Sequence, residues 1–473
     1  MNQVFIYKTR ILRNIYCDVN KLACLLIVFV AVAATDLAAQ TATTVSMPTN
    51  TIQKSGAVTD SLSVNSVYKP VSLSSKTHIV DWVINIGETS IDGSRFAFYK
   101  LYLSSLAATY SLFVPTDEYF IKYIDPIAYG QDVQGVLKFW YNTKTAAVNA
   151  TVYRYNKSTG VIGDSVALIT NSTFLQNRLW KLLDSHIVVG NVESGNSYYV
   201  SRANDIVKIA GTGATLNVQG GGDLVNNTVA HTTDYYQQTN GSTYFLDKPI
   251  DTALKSVYTI LSNTPQFQEF FTLLNGVPVT SVQQIFAIQG VDYRVKFFNA
   301  YHYTVYVPTN EVILAAIANN TIKNWATINA MPDGASKTAE VDKLIRFLKY
   351  HFQDNAVFVD NQTVNGIYPT AILKTDNTVT RFGTAKSKFL KVGVTGGAAG
   401  LTITAESGVT AHVVKSDGLY NIIAKDYVFA RLPSGYKNVD GTGSVTGYTF
   451  DTSIISTSAS AVIHQIDNVL TFE

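Results

Sequence analysis

Seven histidines, at positions 78, 186, 231, 302, 351, 412 and 464, are the side chains of this sequence best suited to moving a proton or holding a metal. Their spacing matches no metal-ligand pattern. His186 and His351 each close an apolar, helix-like run: Leu179, Leu182 and Leu183 before the first, Leu344 to Leu348 before the second. An imidazole there can serve as an acid–base or partner-contact group. It can also hydrogen-bond backbone near the core and fix a helix end, and this second role is the expectation. Asp247 and Asp467 follow apolar strands, where a carboxylate anchors a turn by accepting backbone N–H bonds. General acid–base catalysis needs a second group poised nearby, and no such pairing can be read. There is no Gly-x-Ser-x-Gly elbow. Gly220-Gly221-Gly222 lacks a following Lys-Ser or Lys-Thr and is expected to be a flexible turn, not a phosphate loop. The residues thus predict no catalytic, cofactor-binding or metal-binding set, no cofactor and no enzyme.

Two short strings organise the elements around these residues. Tyr110-Ser-Leu-Phe-Val-Pro-Thr-Asp-Glu118 and Tyr303-Thr-Val-Tyr-Val-Pro-Thr-Asn-Glu311 agree position by position with conservative differences. Such a repeat points to one domain present twice. Each string reads as a buried strand ended by proline, which has no N–H for a ladder. A helix is expected to follow, capped by Thr116 or Thr309, with Asp117, Glu118 and Glu311 in its first turn. Helical patterns precede each string (Ile79 to Ile86; Leu254 to Leu274), and strand patterns follow. A hairpin over 148–167 is inserted in the first copy. This order, occurring twice, predicts an α+β chain.

At 473 residues the length suits roughly two or three domains. With 47% hydrophobic and only 15% charged residues, disorder is excluded for most of the chain. Residues 1–40 read as a signal peptide: Lys8, Arg10, Arg13 and Lys21, then the apolar run Leu22–Ala34, then Leu37-Ala38-Ala39-Gln40 with its small residues at 38–39. An uncleaved anchor is the alternative, but Thr35 and Asp36 cut the run short of a comfortable span. Both cysteines, Cys17 and Cys24, lie in this segment, so cleavage leaves no thiol for a disulfide or nucleophile. Cleavage also balances basic and acidic side chains, which gives nucleic-acid binding no electrostatic support. Residues 41–74 read as a linker or N-terminal arm.

Three boxes, in order and twice over, resemble the fasciclin-like domain family. The first is Ser111–Phe120, repeated at Thr304–Glu311. The second is the pair Tyr350-His351, which in the first copy is Ser185-His186. The third is Val462-Ile-His-Gln-Ile-Asp-Asn-Val-Leu470, including His464 and Asp467; the first copy keeps Asn240-Gly241 and Asp247 without the histidine. The resemblance implies two fasciclin-like domains, 75–250 and 251–473, each a β-wedge of strands with helices packed alongside. It implies an exported protein, periplasmic, surface-bound or extracellular, with no integral span after cleavage. Its partners would be a cell-surface or matrix protein or glycan, and its action non-enzymatic adhesion or binding. Capture of polysaccharide or a small ligand is the alternative. Tyr350, His351, His186, His464, Asp467 and Asp247 are the candidate partner-contact or structural residues. The second copy, with the fuller set, is the better place to look for a contact.

Overall fold

The computed structural model describes residues 66–86, 88–89, 95–96, 98–122, 135–156, 159, 161–170, 172–192, 197–277, 284–289, 292–297, 302–427 and 458–473. The expected signal peptide and most of the expected arm lie outside these residues. The chain mixes helices and strands in two successive halves, each with its own large sheet.

Both sheets are built on a parallel pair. Tyr110–Pro115 pairs in parallel with Gly241–Leu246, setting Phe113 opposite Tyr244. His302–Pro308 pairs in parallel with Ser458–Ile466, setting Tyr306 opposite His464. The two registers superimpose the repeated strings residue for residue. In each pair, one strand comes from the start of its half and the other from its end. Such a pairing closes the half on itself, and a buried apolar run on both strands is its requirement. Tyr110–Pro115 is buried throughout, as is Gly241–Leu246.

The first sheet has seven strands. From Gly241–Leu246 it runs through Ala230–Gln238, Asn217–Gly220 and Ile206–Ala210 to Ser197–Val200; on the other side of Tyr110–Pro115 lies Ile187–Val189. A bridge between Val188 and Ser201 brings the two edges together. The second sheet has eight strands and closes more fully. His302–Pro308 pairs with Phe352–Asp354, and pairing continues through Val364–Leu373, Phe389–Gly397, Gly400–Thr404 and Thr410–Val414 back to Ser458–Ile466. Ile422–Tyr427 also pairs with Ser458–Ile466.

Helices cover one side of each sheet. In the first half His78–Asn85 buries Ile79, Val80, Val83 and Ile84, and Ser172–Ser185 buries Leu175, Leu179, Leu182 and Leu183. The inserted hairpin is part of a three-stranded sheet, Gly135–Asn142, Ala147–Asn156 and Val161–Ile169. Its Leu137, Phe139, Val148, Ala150 and Val152 complete the same core. In the second half the helices Asn310–Ala318 and Trp325–Asn329 bury Ile313, Ala316 and Ile328 in that half's own core. The long helix Ala335–Tyr350 buries Leu344, Ile345, Phe347 and Leu348 there.

Four local expectations change. Residues 66–73, read as arm, are packed: Lys69–Leu73 is a helix, Val67 and Val71 are buried, and Asn240 Oδ1 accepts from Val67 N at 2.7 Å. The expected helix over 254–274 is two, Val257–Asn263 and Gln268–Asn275, because Pro265 interrupts the ladder between them. After the first string the chain forms a 3₁₀ turn, Asp117–Lys122, and Thr116 Oγ1 is buried without a hydrogen-bond partner. Thr309 does cap its helix, accepting from Val312 N at 3.4 Å. Finally, Gly220-Gly221-Gly222 is no flexible turn. It passes from the end of a strand directly into the short helix Gly221–Asn226. A Cβ at Gly220 would stand 2.1 Å from Asp251 O and one at Gly221 2.6 Å from Ala253 Cβ, so glycine is required by the close approach of the following chain.

Candidate functional site

His186 and His351 hold matching positions in the two halves. Each follows the last residue of its helix, Ser185 or Tyr350. His186 O accepts from Phe113 N and His351 O from Tyr306 N, both at 2.9 Å. The rings are held alike. His186 Nδ1 is 2.7 Å from Leu182 O, and Nε2 accepts from Ile250 N at 2.9 Å. His351 Nδ1 is 2.9 Å from Phe347 O, and Nε2 accepts from Leu470 N at 3.2 Å. A ring nitrogen that accepts from an N–H carries no proton, so each ring is the neutral Nδ1–H tautomer. Both are buried, and burial pushes each imidazole down to about 4. Each ring therefore staples the last turn of a helix to the chain that leaves the closing strand.

Ser185 and Tyr350 reach the sheet differently. Tyr350 Oη donates to Lys391 O at 2.7 Å and accepts from Glu406 N at 2.8 Å. Ser185 Oγ donates to Asp205 Oδ2 at 2.6 Å. His464 is fully buried on the closing strand and stacks on Tyr306. Its Nδ1 lies 2.8 Å from Tyr420 O and its Nε2 2.8 Å from Val357 O, so the ring sits between two loops of the second half and, when neutral, donates to one of the two carbonyls. Burial lowers its proton affinity. In the first half Tyr244 holds that position and stacks on Phe113.

Asp247 and Asp467 are the members of the set that reach the surface. Asp247 accepts from His231 N at 2.8 Å and lies 2.9 Å from His231 Nδ1. Asp467 accepts from His412 N at 2.7 Å and lies 3.1 Å from His412 Nδ1. In return, Asp247 N donates to His231 O and Asp467 N to His412 O. The side chains of His231 and His412 are 57% and 60% exposed. A carboxylate on Nδ1 fixes the ring and turns Nε2 away from the protein. Each half therefore ends its closing strand in the same surface aspartate–histidine couple. The sequence shows the aspartates and the histidines but not their pairing, because strand pairing, not local spacing, brings them together.

Asp117 shows the same kind of long-range use. It lies in the first turn of the 3₁₀ helix after the string, and its carboxylate in addition accepts from His78 N and Ile79 N at 3.0 and 2.9 Å, capping the helix His78–Asn85. Asn310 does the equivalent for Glu269 N at 3.0 Å. Asp426, another residue the sequence did not single out, is fully buried. It accepts from Val257 N, Val295 N and Tyr303 Oη at 3.1, 2.8 and 2.8 Å.

The described residues contain no group of three or more His, Cys, Asp or Glu side chains placed to hold a metal. No helix among them is long and apolar enough to cross a membrane. No protein-family model matches the chain, and no curated protein does. Among solved structures it is similar to the FAS1 domain pair from the insect cell adhesion molecule fasciclin I. That match covers 77% of this chain and 88% of the other, at 12% identity and a TM-score of 0.24. So loose a superposition assigns no role to any residue here.

Proposed function

We propose that this chain is an exported, non-enzymatic adhesion or binding protein made of two fasciclin-like domains. The repeated boxes, the matching parallel registers and the matching histidine staples support the duplication. One observation carries the functional reading. The box histidines His186, His351 and His464 are consumed by backbone inside the fold, while Asp247–His231 and Asp467–His412 stand at the surface at equivalent points. A side chain with no exposed area offers nothing to a partner docking on the folded protein. The surface couples do, as a carboxylate beside an oriented imidazole that can accept a hydrogen bond. The partner is a cell-surface or matrix protein or glycan, met outside the cytoplasm after removal of residues 1–40.

The test is binding of the full mature chain to native cell surfaces, matrix preparations and a glycan array. Asp467→Ala and His412→Ala are expected to weaken binding more than Asp247→Ala and His231→Ala. Binding to none of these supports would overturn the reading.

Capture of polysaccharide is favoured by one further feature. On the outer face of the inserted three-stranded sheet Trp140 is 38% exposed, its indole fixed by a 3.1 Å bond to Thr151 Oγ1. Lys138, two residues away on the same strand, lies 4.4 Å from the centre of the Tyr153 ring. A fixed aromatic face beside hydrogen-bonding groups suits a sugar ring. Trp140→Ala would then abolish glycan capture while leaving protein partners bound.

A further inference from the structure

The two halves meet along a seam, and several of the points where they differ touch it. Lys425 and Asp426 are neighbours on one strand, so their side chains leave on opposite faces. Asp426 turns into the core of the second half. Lys425 crosses to the first half and forms an ion pair with Asp205, the two side chains being only 9% and 2% exposed. Asp205 also takes the hydroxyl hydrogen bond of Ser185. Beside this pair, Tyr198 of the first half stacks on Phe358 of the second, with centroids 4.8 Å apart and planes 7° from parallel. Tyr198 N donates to Asp360 Oδ2 at 3.0 Å. Ile206, Ala253, Ile423 and Val462 fill the space between.

The connection between the halves is clamped as well. Ile250 N is bound by His186, and Asp251 N donates to Asp223 Oδ2 at 2.9 Å. Asp251 O accepts from Gly222 N at 2.9 Å, in the close approach that demanded the three glycines. A flexible tether would show none of these bonds.

We propose that this seam locks the two halves into one cooperative unit, and that it explains three departures from the repeat. Ser185 stands where the second copy has Tyr350 because a short hydroxyl there orients Asp205 toward Lys425. Gly220–Gly222 stand where they do because the connection lies against them. His464, which is Tyr244 in the first copy, is a positioning residue: its ring is wedged between Val357 O and Tyr420 O, next to Phe358, Asp360 and Asn421. Asn421 in turn binds both Val359 N and Val359 O, at 2.9 and 3.0 Å. The seam thus has its own scaffold on the second half.

Removing one member of a buried ion pair leaves the other charge uncompensated, which is costly, whereas removing both is not. Amide hydrogen exchange in the full chain reads this locally. In Lys425→Met and in Asp205→Asn, exchange at Tyr198 N is expected to speed up by on the order of a hundredfold. In the double variant most of that acceleration is recovered. Phe113 N and Tyr306 N, inside the separate sheets, stay protected and show that each half is folded. His464→Gln is expected to speed Tyr198 N while sparing Phe113 N. Should Lys425→Met unfold the whole chain, Phe358→Leu removes only the ring stack and reads the same amide. Tyr198 exchange unchanged in these variants, or single effects that simply add in the double, would overturn the proposal.

Discussion

At the end of the helix Ala335–Tyr350, the Tyr350 hydroxyl ties the strand Phe389–Gly397, at Lys391 O, to the turn after Gly400–Thr404, at Glu406 N. At the end of Ser172–Ser185, the Ser185 hydroxyl reaches Asp205, which faces the other half. The histidine that follows does the same work in both. The fold of each half needs the histidine; the contact between the halves bears on the residue before it. The staple is kept wherever a helix end must be tied to the chain leaving the closing strand. The residue before it is free to change, and it changes with the neighbour it meets.

The staples should carry the largest effects, and nearly equal ones. His351→Ala leaves Phe347 O and Leu470 N without their partner and opens a cavity, and His186→Ala does the same to Leu182 O and Ile250 N. Each is expected to cost about 3–5 kcal/mol, measured as the shift in urea midpoint. A large cost at one and none at the other would break the equivalence.

Acid should act on both staples together. The folded rings sit near 4 and unfolded histidine near 6.5, so the folded state binds fewer protons between those values. Their contribution is full above about pH 6.5 and is lost as the pH falls toward 4, roughly 3 kcal/mol for each ring. A denaturation series across that window checks the sign: stability must fall with acidification. His186 also feels Asp205 and Asp223, which oppose its deprotonation, and Lys248, which favours it; His351 has burial opposed only by its bond to Phe347 O.

Smaller effects sharpen the difference between the copies. Tyr350→Phe strands two buried backbone groups and should cost about 2 kcal/mol, against about 1 kcal/mol for Ser185→Ala, which removes a single donor. Calorimetric melting of both variants compares them. At the strings themselves, Thr309→Ala loses a helix cap and should cost about 1 kcal/mol. Thr116→Ala removes a hydroxyl that has no partner and should cost close to nothing or stabilise slightly.

The parts of this architecture that sequence made legible are local. An apolar run ended by Pro115 or Pro308 needs no distant residue to be read as a strand end, and comparing the strings reveals the repeat. Leu344 to Leu348 running into Tyr350-His351 announces a helix end in the same way. What was hidden depends on residues brought together across the fold. Asp117 caps a helix that begins well before it in the chain, and Asp467 meets His412 only because two strands pair. Gly220–Gly222 looked mobile because glycine permits many conformations; here it permits contact. Lys425 lies in an ordinary alternating strand, where one face being an interface leaves no local mark. The capping expectation at Thr116 failed for a related reason: after this string the chain makes a 3₁₀ turn, and the partner that a first-turn N–H would have supplied is not there.

The ring tautomers of His186 and His351 test the central claim most directly, that these box residues build scaffold while contact is made elsewhere. Nitrogen-15 NMR of the full chain near neutral pH should show both as neutral rings protonated on Nδ1, and neither should titrate until the pH nears 4. Rings protonated on Nε2, or titrating near 6.5 as solvent-exposed histidines do, would contradict it.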